Sequence, residues 1–361
     1  MTAIPSFAVI TGAQVQRALR GREREVVELA EAAYRLHCSG AATSAPCSFL
    51  RFADRPSARI VAMPASLGGP ASVAGMKWIA SFPENAATGI PRASAVVILN
   101  DHESGYPFAC LEGSIVSATR TAAFAAAAAH RLSRGRPRPV RIGFIGTGLI
   151  ARYVHRFLAR TGWSFGALAG YDTSAESAAG FHASLGRLGA DFAVQESAER
   201  LIRSSDLLVI ATTAREPHIT EPAWFEHCPL VLHLSLRDLA PEILLGATNI
   251  LDDTEHCLSA GTSAQLAEQL SGGRDFVHGT LDDVIAGRVS VPRDRPVVFS
   301  PFGLAVLDVA LGSFVYDEVA ASGELHVFEG FFHERLRYAT ESDSEDQRPA
   351  ASHASSWSRR S

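Results

Sequence analysis

Lys77 is the residue whose type and setting most clearly predict chemistry. It is the one lysine among 33 lysine and arginine residues, and it lies in an apolar run at residues 72–82 that predicts a strand. An arginine stays charged, whereas an ammonium group can lose its proton when it is partly buried. Lys77 is therefore a candidate for proton transfer. The alternative is a surface lysine without a chemical role.

A glycine turn predicts a second site. Residues 140–145 form an apolar strand pattern that runs into Gly146, Thr147, Gly148, Leu149, Ile150 and Ala151, where a helix begins. The first glycine allows a tight turn, the second lets the backbone approach a pyrophosphate, and the alanine allows close helix packing. Free N–H groups at the helix N-terminus favour the anion. The pattern predicts that residues 146–150 bind a dinucleotide, the alternative being a glycine turn in another α/β fold.

Two further residues follow later strands of this pattern. Asp172 ends the next strand, where its carboxylate can accept from the ribose hydroxyls and repel a 2′-phosphate, so NAD is favoured over NADP. Thr213 follows another strand at the edge where ligands bind in such sheets. It is predicted to contact the cofactor, although a helix cap or turn explains it equally well.

Composition narrows the class of protein. A net charge of −5 and a pI near 6.2 give no broad basic surface, so nucleic acid is not expected as a partner. We expect no signal peptide and no membrane span. Five cysteines without C-x-x-C spacing suit a reducing cytoplasm, and neither they nor the histidines predict a metal site.

The elements that must position these residues fall into two groups. The first contains an amphipathic helix predicted at 14–38, strands including the Lys77 segment, and a long helix at about 111–132. A Pro/Arg-rich linker at 134–139 follows, and then strands alternate with helices, which predicts a parallel sheet. Beyond Pro296 the chain is expected to return to the first domain.

This organisation predicts an α/β fold of two domains and a tail. Residues 138–296 are expected to form a Rossmann NAD-binding domain. Residues 1–133 and 297–340 are expected to form one discontinuous domain. The tail, 341–361, is rich in Ser, Asp, Glu and Arg and is expected to be disordered.

Several segments resemble the ornithine cyclodeaminase/μ-crystallin family. They are the lysine segment 75–85 with its continuation 89–95, the segment 104–112, the Thr-Arg-Thr-Ala-Ala segment at 119–123, and residues 298–304. The resemblance covers about residues 5–325 and is strongest to the branch of N-(2-amino-2-carboxyethyl)-L-glutamate dehydrogenases. It implies a Rossmann domain plus an α+β dimerisation and substrate domain, and a homodimer.

The resemblance also implies roles for individual residues. Lys77 matches the catalytic lysine, Arg120 matches an arginine that grips the substrate α-carboxylate, and Asp238 matches a catalytic aspartate. Ser-Leu-Arg precedes Asp238 where the family has a glycine-rich stretch, which argues for a different reaction from the cyclodeaminases, and a helix N-cap is the alternative for Asp238.

Three further arginines are candidates for a second carboxylate. Arg51 lies roughly where the family carries another carboxylate-binding arginine, with Arg59 as its competitor. Arg92, in the loop after the lysine strand, could bind a distal carboxylate or the cofactor, or lie on the surface.

The implied reaction is NAD-dependent oxidative cleavage of N-(2-amino-2-carboxyethyl)-L-glutamate to L-2,3-diaminopropionate and 2-oxoglutarate, for siderophore or peptide biosynthesis. A pyridoxal-phosphate-dependent synthase would supply the substrate. The alternatives are an ornithine cyclodeaminase and a related imine reductase or amino-acid dehydrogenase. A non-catalytic NAD(P)H-dependent small-molecule binder is the alternative from another class.

Overall fold

A computed structural model describes residues 6–69, 72–134, 140–186, 192–259 and 261–332. Two eight-stranded sheets make up its core. Most of the predicted linker and the whole of the predicted tail, 341–361, lie outside the described residues. None of the described helices is long and apolar enough to cross a bilayer.

The first sheet contains Lys77. Its strands are β1 (Phe7–Ile10), β2 (Ala42–Ser44), β3 (Ser48–Phe52), β4 (Arg55–Leu67), β5 (Val73–Ser81), β6 (Ala93–Asp101), β7 (Pro107–Glu112) and β16 (His326–Phe328). Their order is β16-β1-β7-β6-β5-β4-β2, and β3 pairs with β4. All of these pairings are antiparallel except β1 with β7. Because side chains alternate along a strand, Lys77 shares a face with Gly75 and Ser81.

Four helices pack on the first sheet or beside it: α1 (Gly12–Leu19), α2 (Glu23–Cys38), α3 (Gly113–Leu132) and α11 (Ala305–Ala321). The single helix predicted over 14–38 is wrong, because the chain turns between α1 and α2 at Gly21, which has φ 78°. The predicted long helix is present as α3. Its first N–H groups, at Ser114 and Ile115, donate to the Glu112 side chain, which caps the helix.

The second sheet is entirely parallel. Its strands are β8 (Arg141–Ile145), β9 (Ala167–Tyr171), β10 (Phe192–Val194), β11 (Leu207–Ile210), β12 (Leu230–His233), β13 (Thr248–Leu251), β14 (Val277–Thr280) and β15 (Val297–Ser300). They lie in the order β10-β9-β8-β11-β12-β15-β13-β14. The chain order reverses between β8 and β11, and ligands bind at the carboxyl ends of strands at such a point.

Seven α-helices connect these strands: α4 (Leu149–Arg160), α5 (Ala175–Leu185), α6 (Ala198–Arg203), α7 (Pro241–Leu245), α8 (Thr254–Cys257), α9 (Ser263–Ser271) and α10 (Leu281–Ile285). Short 3-10 helices lie at Pro83–Thr88 and Pro222–Phe225. Helix α4 packs against α3, which joins the two halves of the molecule.

The chain returns to the first sheet later than predicted. Residues from 297 onward were expected to belong to the first domain, but β15 pairs with β12 and β13 in the second sheet. Its four residues are fully buried, and their apolar side chains complete the core between these two strands. Residues 301–304 make the crossing, and α11 then packs on β4 and β5.

Candidate active site

The turn after β8 has the backbone conformation that a dinucleotide site requires. Gly146 has φ 79°, and a Cβ placed on it would lie 2.5 Å from the Ala211 carbonyl oxygen, so only glycine fits. A Cβ on Gly148 would meet nothing within 4 Å. Gly148 is the N-cap of α4 and provides no side-chain cap, so the first N–H groups of α4 remain available for an anion.

Asp172 is fixed beside this turn. One carboxylate oxygen accepts from the Thr147 N–H at 2.8 Å and from the Thr147 hydroxyl at 2.9 Å, and the other accepts from the Ser174 N–H at 2.9 Å. Thr147 is thus buried as a support for Asp172. These bonds hold the carboxylate at the end of β9, where it can meet a ribose.

A cavity of about 630 Å³ surrounds this turn. Gly146, Gly148, Asp172, Thr213 and His218 are among its lining residues. This part of the molecule fits NAD: a glycine turn, open helix N–H groups and a carboxylate at the ribose position.

Leu149 and Ile150, also predicted to bind the cofactor, are the first two residues of α4, so their N–H groups are among those available for an anion. Leu149, 48% exposed, lines neither this cavity nor the one described below. Ile150 lines the second cavity instead.

Lys77 belongs to a buried cluster of charges. Its ammonium donates to Asp308 at 2.7 Å and to the Ser117 hydroxyl at 3.3 Å, and Arg120 Nε donates to the other Asp308 oxygen at 3.1 Å. Lys77 is 1% exposed and Asp308 0%. One carboxylate therefore serves two buried cations. Asp308 lies in the first turn of α11 and is buried, whereas the other two acidic residues of this helix, Asp317 and Glu318, lie near its C-terminal end.

The surroundings of Lys77 favour its neutral form more than water does. Burial and the charge of Arg120 lower the pKa of Lys77 to about 8, against the opposing effect of Asp308. Gly75, on the same face as Lys77, leaves no room for a ligand, because a Cβ on Gly75 would lie 2.4 Å from the Ile98 carbonyl oxygen and 3.3 Å from a methyl group of Val309.

Arg120 lies between Lys77 and a second cavity. Its terminal nitrogens have no hydrogen-bond partner within the described part of the chain. They lie against Gly303, where an added Cβ would be 2.6 Å from the nearer nitrogen. Asp308 holds the Nε side of the guanidinium, so the terminal nitrogens remain free to bind a carboxylate.

The second cavity, of about 310 Å³, is rich in arginine. No acidic residue is among the described residues that line it. Five arginines do line it: Arg59, Arg92, Arg120, Arg215 and Arg237. Burial, followed by the charges of Arg237, Arg92, Arg51 and Arg215, lowers the pKa of Arg59. Such mutual repulsion indicates a site for an anion with several charges.

Arg51 is not part of this wall. It is exposed on β3, its guanidinium lies 5.3 Å from the Phe49 ring centroid, and it is absent from the cavity lining. Arg59 is its partner on β4 and lies opposite Ser81 on β5. Because β4 lies between β3 and β5, Arg59 is one strand closer to Lys77. The structure therefore favours Arg59 over Arg51, and it places the predicted Arg92 on the cavity wall.

Asp238 lies behind both cavities rather than on a wall. It is completely buried. One oxygen is bonded by the Thr212 hydroxyl and by His218 Nε2 at 3.1 Å, and the other by the Ser235 hydroxyl at 2.5 Å and His233 Nε2 at 3.2 Å. Burial alone raises the pKa of Asp238, but the hydrogen bonds to His218 and His233 outweigh it and hold the pKa well below its usual range. The side chain is therefore a fixed carboxylate.

A strained turn connects β12 to Asp238. Leu236 has φ 75°, and such a backbone costs a bulky residue on the order of 1–3 kcal/mol. The Leu236 side chain lines the arginine-rich cavity together with Ser235 and Arg237. Thr212 and Ser235 thus reach the cavity on one side and Asp238 on the other.

Four residues of the site carried no signal in the sequence: Asp308, Arg215, Arg237 and His218. Asp308 is 231 positions from Lys77 along the chain. Asp308 is the one charged residue among residues 305–316, and a buried charge has to find a partner, but the sequence does not say which one.

Comparisons with known proteins identify the family of the chain. Residues 8–323 match the model of the ornithine cyclodeaminase/mu-crystallin family. The N-((2S)-2-amino-2-carboxyethyl)-L-glutamate dehydrogenase of Staphylococcus aureus is 28% identical over 72% of this chain and 79% of its own length. The alanine dehydrogenase of Archaeoglobus fulgidus is 31% identical over 81% of this chain and 89% of its own.

A solved structure supports the same assignment. An archaeal alanine dehydrogenase dimer with bound NAD has a TM-score of 0.80 and 28% identity, and it covers 90% of this chain and 100% of its own. The chain belongs to the ornithine cyclodeaminase/mu-crystallin family. This confirms the predicted family and the predicted α/β fold with a parallel, NAD-binding sheet.

Proposed function

We propose that this member of the ornithine cyclodeaminase/mu-crystallin family uses NAD to oxidise a secondary amine that joins two amino acids. The substrate is N-(2-amino-2-carboxyethyl)-L-glutamate. With NAD⁺ and water it gives 2,3-diaminopropionate, 2-oxoglutarate, NADH and one proton. A pyridoxal-phosphate-dependent synthase is the kind of enzyme that would supply this substrate.

The arginine-rich cavity is the observation that carries the proposal. The substrate has three carboxylates, and five arginines line the cavity without an acidic residue among the described ones. Arg120 binds one carboxylate through its free terminal nitrogens, and Arg59, Arg92, Arg215 and Arg237 bind the others. Holding the substrate at several points fixes the reacting carbon, which supplies much of the rate in such reactions.

The chain's own groups handle the protons. NAD⁺, which the glycine turn and Asp172 would hold, would supply the acceptor for the hydride of the glutamate-side α-carbon. Water adds to the resulting imine, and the C–N bond breaks to release the two products. Lys77 accepts a proton during these steps. Lys77 is buried and does not line the cavity, whereas Arg120 does, so a shift of the Arg120 side chain toward a bound carboxylate would give Lys77 access to the substrate.

Asp238 has a supporting part in this proposal. Its carboxylate is bonded by four side chains and lines neither cavity. It orients the hydroxyl groups of Thr212 and Ser235, which do reach the arginine-rich cavity. Asp238 therefore acts through these hydroxyl groups rather than on the substrate.

The same cavity argues against ornithine as substrate. Ornithine has one carboxylate and two ammonium groups, which five arginines would repel. A pure binder is disfavoured by Lys77, since binding alone does not require a buried lysine whose pKa is near 8.

We expect stoichiometric NADH from the secondary amine and none from ornithine. Purified protein is mixed with NAD⁺ and synthetic N-(2-amino-2-carboxyethyl)-L-glutamate, NADH is followed by absorbance, and 2-oxoglutarate is quantified. One 2-oxoglutarate per NADH is the expected result. Proline and ammonia from ornithine without net NADH would instead identify a cyclodeaminase. No reaction with either substrate would favour a non-catalytic NAD(P)H-dependent small-molecule binder.

A homodimer is the proposed assembly. The face of the first sheet opposite Lys77 exposes apolar side chains, with Leu50 at 48%, Trp78 at 39% and Val96 at 36%. These residues lie on β3, β5 and β6, and Trp78 is paired directly with Val96. An apolar sheet face of this kind is typical of an interface.

The dimer makes a simple prediction. Light scattering should give twice the chain mass of 38.5 kDa. A Trp78→Asp variant places a charge in the interface and is expected to give the mass of a single chain. An unchanged mass for that variant would exclude this face as the interface.

A further inference from the structure

Leu236 is held in a conformation that leucine avoids. Its φ of 75° lies in the left-handed region, and among the described residues Cys228, with φ 59°, is the one other non-glycine residue with positive φ. Two hydrogen bonds fix the turn. The Leu236 carbonyl accepts from the Ser263 N–H at 2.7 Å, and Arg237 Nε donates to the Gly261 carbonyl at 2.8 Å.

The backbone conformation of this turn does not require leucine. Glycine would adopt this turn without strain. Leu236 is instead a half-buried aliphatic residue that lines a cavity whose polar lining is dominated by arginine, together with Ile150 and Phe302. Strain that persists at a ligand cavity indicates that the strained side chain serves the ligand.

We propose that Leu236 is a specificity-determining residue that packs against the aliphatic carbons between the substrate's carboxylates. The arginines attract any anion with several charges, including a compact one. Leu236 adds a contact that only an anion with a carbon chain can make. The cavity therefore selects a glutamate-like arm over a compact polyanion such as phosphate. This inference rests on the proposed function for the identity of that arm.

The test measures binding of two anions to NADH-loaded protein by calorimetry. The anions are 2-oxoglutarate, which is a proposed product, and inorganic phosphate. In Leu236→Ala and Leu236→Gly the Kd for 2-oxoglutarate should rise about fivefold to tenfold, as expected for the loss of one or two methylene contacts. The Kd for phosphate should stay as in the original protein.

Thermal unfolding distinguishes the effect of backbone strain at Leu236 from the effect of losing its side chain. Leu236→Gly should melt at a higher temperature than Leu236→Ala, because both lose the side chain and glycine alone relieves the backbone. Cys228 provides the matched control, since it has the same backbone strain and lines neither cavity. Cys228→Gly should likewise melt above Cys228→Ala, with both anions bound as before.

Each outcome decides the inference. Equal weakening of both anions, or unchanged binding of 2-oxoglutarate to Leu236→Ala, would overturn it. If the original protein makes no NADH from the secondary amine but shows the expected anion pattern, the proposed function fails while the role of Leu236 stands. If the original protein does not bind 2-oxoglutarate, the role of Leu236 fails.

Discussion

Replacing Lys77 by methionine should lower NADH production from the secondary amine about a thousandfold. Methionine fills a similar volume without a group that accepts a proton, and removal of a positioned acid or base typically costs 10²–10⁴ in rate. The effect should appear in kcat, while the affinity for NAD, measured by calorimetry, should not change. NAD affinity is the check on folding, because the glycine turn lies in the other sheet.

A Lys77→Arg variant separates charge from proton transfer. Arginine keeps a cation beside Asp308 but does not give up its proton. It should fold as the original protein does and remain nearly inactive. If arginine restores the rate, Lys77 provides only charge, and its role in proton transfer is wrong.

The pH dependence gives a second measurement of the same role. The pKa of Lys77 is lowered from its model-compound value of 10.5 to about 8, so the amine is charged below that pH and neutral above it. A proton acceptor has to be neutral. The value of kcat/KM should therefore rise with pH and level off above about 8, and a rate that falls over this interval would make the charged form the active one.

Asp308→Asn should lower the free energy of unfolding by about 3–5 kcal/mol, as the loss of one partner from a buried ion pair does. The change leaves Lys77 and Arg120 buried without an anion, although the side chain keeps its shape. Denaturant unfolding of the NAD-free protein measures the loss. A loss below about 1 kcal/mol would mean that the cluster is accessible to water and does not hold its cations as described.

A double variant tests whether the two uncompensated charges cause the loss of stability in Asp308→Asn. Lys77→Met in the Asp308→Asn background removes one of the two uncompensated cations, so part of the lost stability should return. If the two changes are instead additive, their effects are independent and the ion pair does not couple them.

The sequence predicted the parts of the site that are local in the chain. The glycine turn with Asp172 depends on one βαβ unit, and Lys77 was visible because lysine is so rare here. Local patterns say little about which distant strands and helices meet. Asp308 became part of the site only because α11 packs across β5, and the order of β3, β4 and β5 places Arg59 rather than Arg51 on the cavity lining.

Asp238 shows a second limit of prediction from the sequence. Its position after β12 was evident from the sequence, but its surroundings were not. Thr212 and His218 follow β11, His233 ends β12, and together they make Asp238 a fixed carboxylate. A residue's role depends on which neighbours satisfy its hydrogen bonds, and the topology of the sheet determines those neighbours.

The short crossing at residues 301–304 has a mechanical consequence. It joins β15, in the middle of the cofactor sheet, to the helix turn that carries Asp308. Because this connection is short, a displacement of β15 would move the first turn of α11 as well. Movement of the cofactor sheet against the first sheet would pull on the carboxylate between Lys77 and Arg120, and Gly303, within the crossing, would press on Arg120.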